Sequence, residues 1–252
     1  MNGAGITLLR RLNEAEIILL RKLGIDRQPD LAIFVIVLAW KLDRPLITVS
    51  CHDDLTAADL LGRYLITRNE TRWLDGPLTQ AVRAGALCYL DEFVEARKDT
   101  TVVIHPLVDD RRMLAVEKTG EIIRAENKFG LCISYNPGYQ STIKDLKQST
   151  RQRFMALSFD YPVPDLEQQI VMSESAVDEP TAMRLVQLAN MTRNLKGQGL
   201  EEGASTRLLV HAGKLMLNGI NAGAACRCCV AESLSDDPEV VDAIAQMIDS
   251  LW

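Results

Sequence analysis

The chain predicts an α/β protein in which a parallel sheet lies between helical layers and a helical C-terminal domain follows. Four continuous apolar runs of strand length, PLITVSC (45–51), GALCYLDE (85–92), FGLCISYN (129–136) and RFMALSF (153–159), are separated by segments long enough to hold helices. Strands buried on both faces and joined by crossovers read this way. After Pro162 the strand signal stops. The length of 252 residues is about 1.7 domains at roughly 150 residues each, which suits a large domain with a smaller companion. The expected division is a divergent segment over 1–39, the sheet domain over 40–162 and a helical domain over 163–252.

Taken in order, residues 6–23 place Leu8, Leu9, Leu12, Ile18 and Leu19 near helical spacing, with Gly24 as a stop, so an amphipathic helix is expected there. The run LAIFVIVLAW (31–40) has four β-branched residues and reads as a strand, although an apolar run of this length also admits a buried helix. MLAV (113–116) and EIIRA (121–125) flank EKTG, the pattern of a β-hairpin inserted between sheet elements. In the last third, residues 206–217 align Leu208, Leu209, Ala212, Leu215 and Met216 on one helical face. Residues 238–252 do the same with Val240, Ile244, Met247, Ile248 and Leu251, behind Asp237 at the cap and Pro238 at the first helical position.

Composition narrows the function classes. Apolar residues are 47% and charged residues 25%, ordinary globular values that disfavour disorder, collagen-like repeats and coiled-coil rods. The net charge of −6 gives no basic field for nucleic acid. The six cysteines, several inside apolar runs, do not make a disulfide scaffold, and a reducing cytoplasm fits them best. Residues 1–24 mix charges into their apolar positions, unlike a signal peptide. The longest apolar run holds ten residues, about half of a bilayer span.

The most informative string is ALCYLDE. An apolar strand that ends in Asp91 and Glu92 puts two carboxylates where α/β sheets bind ligands. One acid can hold magnesium through its water shell while the next polarises an attacking water, the logic of a Walker B motif. The alternative is an acidic pair that caps the following helix. The next strand ends at Asn136, whose amide could orient that water, although NPG by itself is a turn signal. Arg151 and Arg153 stand before the last strand, from which an arginine could reach a nucleotide held by a neighbouring subunit, or simply be exposed.

Five blocks in this order, PLITVSCHDDLTAADLLGRYL, TRWLDGPLTQAVRAGALCYLDE, TTVVIHPLVDDRRMLAVEK, ISYNPGYQS and KDLKQSTRQRF, resemble the MoxR-type AAA+ ATPases, and more narrowly the CbbQ/NirQ/NorQ group that activates rubisco or nitric oxide reductase. The resemblance spans about residues 40–252. It implies a three-layer αβα AAA+ core of the P-loop type with a helical lid, ATP and Mg2+ as cofactors, and a cytoplasmic hexameric ring. It further implies a von Willebrand factor A domain partner and a client enzyme that ATP hydrolysis remodels. Position by position, it makes Asp91 the magnesium-associated acid, Glu92 the water-activating acid, Asn136 sensor 1 and Arg153 the arginine finger acting in trans. Arg207, in GASTR (203–207), becomes the sensor 2 residue expected at the γ-phosphate, and the hairpin near 113–125 becomes the helix-2 insertion that faces the pore.

One departure is large. The family's P-loop, G-x-x-x-x-G-K-[ST], should precede KLDRPLITVS, but no G-K-[ST] triplet occurs anywhere in the chain. Three explanations compete: a naturally degenerate member, a frame error or rearrangement upstream of about residue 39, or an unconventional phosphate site. The abrupt resumption of the match near residues 39–42 favours the second, and nucleotide binding is expected to be absent or much weakened. Cys226, Cys228 and Cys229 have no second ligand pair nearby for a closed zinc site. The family match explains His52, Asp53 and Asp54 as a strand-end segment, and His105 and His211 read as packed helical residues. SLSDDPE (233–239) reads as a helix-capping loop.

Overall fold

A computed structural model describes residues 5–10, 31–68, 70–135, 146–197 and 199–252. The chain divides into two compact units, Met1–Asp160 and Tyr161–Trp252.

In the first unit β1 (Gly5–Arg10), β2 (Leu46–Ser50), β5 (Leu87–Asp91), β8 (Gly130–Tyr135) and β9 (Met155–Phe159) form one sheet in the order β2-β5-β8-β1-β9. β2, β5 and β8 are parallel, with Ser50 beside Asp91 and Leu90 beside Ile133. Ser50, Asp91 and Tyr135 therefore end together on one edge. Alternation along β5 serves both faces. Cys88 and Leu90 point into a core with Leu131 and Ile133, under helices α2 (Ala57–Leu61), α3 (Pro77–Ala84) and α4 (Lys98–Val108). Leu87 and Tyr89 point to the other face, with Cys132 and Phe159, under α1 (Leu31–Lys41). Helix, sheet and helix make the three layers.

Two expectations fail in the N-terminal segment. LAIFVIVLAW is helix α1, not a strand. Its buried residues Phe34, Val35, Leu38 and Ala39 recur at helical spacing against the sheet, while Ile36 and Trp40 are exposed, and Phe34 meets Phe159 edge to face at 5.1 Å. An all-apolar run has no period of its own to read, so the sheet decides which face is covered. Residues 6–10, expected to open a helix, belong to strand β1, which pairs antiparallel with both β8 and β9. The sheet is thus mixed: β2, β5, β8 and β9 run in one direction and β1 runs against them. The rest of the expected helix, 11–23, lies outside the described residues.

The crossover between β2 and β5 consists of α2 and α3, and a hairpin of β3 (Gly62–Ile66) and β4 (Thr71–Asp75) interrupts it. The hairpin of β6 (Met113–Val116) and β7 (Glu121–Arg124) lies in the next crossover, after α4. The hairpin that interrupts the helices between β2 and β5 is thus 62–75, whereas the hairpin near 113–125, expected to be the helix-2 insertion, follows α4 instead. Arg83 of α3 ties the two hairpins together, pairing with Asp75 at 2.9 Å and Glu121 at 2.8 Å, and the Tyr64 hydroxyl donates to the Lys118 carbonyl at 3.1 Å.

The second unit is helical: α5 (Gln148–Arg151) belongs to the first, and α6 (Pro164–Ser175), α7 (Glu179–Asn194), α8 (Thr206–Leu217), α9 (Ala222–Cys226) and α10 (Pro238–Asp249) follow. Leu185, Leu188, Leu209, Val230, Ile244 and Ile248 share its core. Asp237 caps α10 by accepting from the Glu239 N–H at 3.0 Å. Cys226 is buried, and the CRCC sequence continues from α9 into one π-helical turn, Arg227–Ala231. No helix among the described residues is long and apolar enough to cross a membrane.

Candidate active site

Asp91 closes β5, where the parallel strands end, and backbone geometry aims the next residue out of the sheet. Glu92 takes φ 52°, the left-handed region that a side chain rarely adopts, and is exposed. Strained backbone of this kind persists where neighbours fix it. Here the fixing group is Ser134 of β8, whose Oγ accepts from the Glu92 N–H at 2.9 Å and whose hydroxyl donates to Asp91 Oδ1 at 2.6 Å. The Tyr89 hydroxyl donates to the same Oδ1 at 2.6 Å. Among the described residues Oδ2 of Asp91 takes no hydrogen bond. One oxygen is anchored and the other is left available.

The Cys51 N–H donates to the Asp91 carbonyl at 2.9 Å, and burial, then the charges of Asp91 and Glu92, push its thiol up to about 12, so it stays protonated near neutrality. Burial, then the hydrogen bond to Asp91, raises the Tyr89 hydroxyl as well, which keeps it a donor. Cys88 is pushed up to about 12 by burial. No group of three or more His, Cys, Asp or Glu among the described residues could by itself hold a metal, His52, Asp53 and Asp54 included.

Arg153 lies in the turn after α5, half-exposed, and its Nη1 donates to the Ser149 carbonyl. Thr150 of α5 is buried and joined to His105 Nε2 at 2.9 Å. Burial, then the charge of Arg153, lowers the His105 pKa.

In the second unit Glu167 is 0% exposed and Arg193 11%, and they meet through two parallel bonds, Nη1 to Oε2 at 2.7 Å and Nη2 to Oε1 at 2.6 Å. Arg193 Nε and Nη2 also donate to the Ala204 carbonyl, at 3.0 and 2.8 Å. The Thr206 hydroxyl donates to Glu167 Oε1 at 2.6 Å. Arg207 follows as the second residue of α8 and is exposed.

Residues 167–251 match the family model CbbQ/NirQ/NorQ C-terminal, and residues 34–154 match the AAA domain of the dynein-related subfamily. Protein CbbQ of Hydrogenophilus thermoluteolus is 56% identical over 219 residues, 87% of this chain and 82% of that one. The chain belongs to the CbbQ/NirQ/NorQ family of AAA+ proteins. Protein NorQ of Paracoccus denitrificans is 58% identical over 82% of this chain and 77% of its own. Denitrification regulatory protein NirQ of Pseudomonas aeruginosa is 56% identical over 86% and 83%.

Against this CbbQ/NirQ/NorQ background, the structure brings Asp91 and Glu92 together at the sheet edge. Arg153 stands elsewhere in the same unit, and Arg207 belongs to the other unit. Asn136 lies outside the described residues. Sequence reasoning missed Ser134 and Tyr89. Their signal was Ser134 as a polar residue in an apolar strand, and Tyr89 two residues before Asp91 on the same strand.

The donor set fits a magnesium ion held through its water shell, because Asp91 offers an oriented carboxylate with one oxygen available. A triphosphate does not fit equally. The sequence has no G-x-x-x-x-G-K-[ST] turn, and β1 runs against its neighbours, with Ile6 beside Tyr135 and Arg10 beside Leu131. The C-terminal end of β1, from which a phosphate-binding turn would spring, therefore lies at the edge opposite Asp91.

Proposed function

We propose that the chain is a subunit of a CbbQ/NirQ/NorQ-type activator, which assembles into a hexameric ring in the cytoplasm and remodels a client metabolic enzyme, rubisco or nitric oxide reductase, in an ATP-driven cycle. The observation that carries the proposal is the Asp91–Ser134–Glu92 arrangement at the sheet edge of a chain in this family. In this reading Glu92 activates water, Asp91 serves the Mg2+, Asn136 positions the water, Arg153 acts on the neighbouring subunit's site and Arg207 faces the γ-phosphate. The sheet domain up to about residue 162 is the nucleotide domain and 163–252 is the lid. The client side includes the 62–75 hairpin, and a von Willebrand factor A domain protein is the partner.

A second reading is favoured by the reversed β1 and the missing P-loop: a subunit that keeps the fold and the client surfaces but does not hydrolyse ATP itself. An ATPase assay of the purified chain beside Glu92→Gln separates the two. Turnover that Glu92→Gln abolishes supports the first reading. No turnover in the unmodified chain, with incorporation into rings of a P-loop-containing relative, supports the second.

A further inference from the structure

We infer that the buried Glu167–Arg193 pair positions the 203–205 loop and, through it, Arg207; what Arg207 then does rests on the reading given above. Helix packing alone gives no reason for the pair. A buried ion pair costs desolvation that apolar residues of the same volume avoid, so its stability value is small compared with its directionality. What it supplies here is a fixed geometry at the meeting point of three helix ends. Glu167 lies in the first turn of α6, Arg193 in the last turn of α7 and Thr206 at the first position of α8. Each charge complements the dipole of its own helix.

The guanidinium fork holds a carboxylate on one side and the loop backbone on the other. Nη1 and Nη2 grip Glu167, while Nε and Nη2 hold the Ala204 carbonyl. Its face lies 3.8 Å from the Tyr161 ring centroid, and the Tyr161 hydroxyl donates to the Gly203 carbonyl at 3.3 Å. The Ala204 N–H donates to Thr192 Oγ1 at 3.0 Å. Both carbonyls of residues 203 and 204, the 204 amide and the 206 side chain are thus tied down immediately before Arg207.

Gly203 shows how close the fit is. A Cβ there would come within 2.5 Å of the Arg193 Cα and 2.7 Å of its nitrogen. An arginine that must meet a charged ligand at a defined angle needs a rigid base, and an otherwise polar loop lacks one. Glu167, Arg193, Thr206 and Gly203 are therefore positioning residues.

The test follows the Arg207 Nε–Hε resonance by NMR and amide hydrogen exchange over 204–208, in the full chain. Arg193→Lys keeps the charge but loses the fork, and Thr206→Val keeps the ion pair but frees the helix start. Both are expected to shift the Arg207 resonance and to speed exchange over 204–208 by about tenfold or more. Ile244→Val, a methyl deletion at a fully buried core position, lowers stability and leaves both readouts in place. An unmoved resonance in Arg193→Lys and Thr206→Val, or an equal movement in Ile244→Val, would overturn the inference. A parallel comparison of MgATP binding by the parent and Arg207→Ala tests the nucleotide role: indifference there removes that role and leaves the positioning result standing.

Discussion

Asp91 and Glu167 are both carboxylates that accept hydroxyl hydrogen bonds, and they are built for opposite ends. Asp91 sits at a strand end, half-buried, with Tyr89 and Ser134 sharing one oxygen and the other without a hydrogen bond among the described residues. Glu167 is wholly buried, and both its oxygens are taken by Arg193, with Thr206 added. A group kept for chemistry must retain an open coordination position and reach solvent or ligand. A group kept for geometry gains by having neither. Comparing the two separates the residues that would act from those that hold them in place.

The largest effect should come from breaking the closed site. Arg193→Met leaves Glu167 buried without its counter-charge, and unfolding by urea should show a loss of about 3–5 kcal/mol. The double variant Glu167→Met/Arg193→Met should recover most of that loss, because no isolated charge remains. If the double variant is as unstable as the single one, Glu167 is not paired as described. Gly203→Ala forces a methyl against the Arg193 backbone and should cost about 1–3 kcal/mol in the same experiment.

The open site should be less sensitive. Ser134→Ala removes two hydrogen bonds at the β8 edge and should cost about 1 kcal/mol, while releasing the backbone of Glu92. Glu92→Gln, at an exposed position whose side chain takes no ion pair or hydrogen bond among the described residues, should stay within about 0.5 kcal/mol of the parent while removing whatever turnover the chain has. A Glu92→Gln variant that loses stability but retains turnover would reverse the comparison.

A smaller effect depends on pH. His105 has its pKa lowered in the folded state, so the unfolded chain binds the proton more readily. The stability that the neutral imidazole contributes is therefore complete above its ordinary value of 6.5 and declines as the pH falls below it, levelling off beneath the folded value. His105→Gln should flatten this part of the stability–pH curve, measured by urea denaturation between pH 5 and 8.

Parts of this fold were legible because their pattern carried its own period or stop. β5 and β8 announced themselves as continuous apolar strands, and Asp91–Glu92 as charges at a strand end. α8 and α10 were readable from one apolar face each, and α10 also from Asp237 and Pro238. The run at 31–40 was not readable, because apolar residues on every side leave no periodicity to distinguish a helix from a strand. β1 was missed because its pairing with β8 and β9 is wholly non-local.

The Glu167–Arg193 hub was hidden for a related reason. Its members are charged and lie on different helices, so each reads singly as a surface residue. The available signal was Glu167 on the stripe shared by Val171 and Ser175, one acid in line with buried positions four residues apart.

By itself, the sequence determined the parallel strands, the acid pair at the edge of β5, the helical second unit and the family, because each depends on residue order along one element or on a continuous match. It also determined the missing phosphate turn, since no G-K-[ST] triplet exists to form one. Only the tertiary structure decided the direction of β1, the helix at 31–41, the anchoring of Asp91 by Tyr89 and Ser134, and the closure of Glu167 by Arg193. Except for Tyr89, which lies two residues from Asp91 on the same strand, these depend on which surfaces and hydrogen-bonding groups meet across long separations in the chain, and local preference does not encode that.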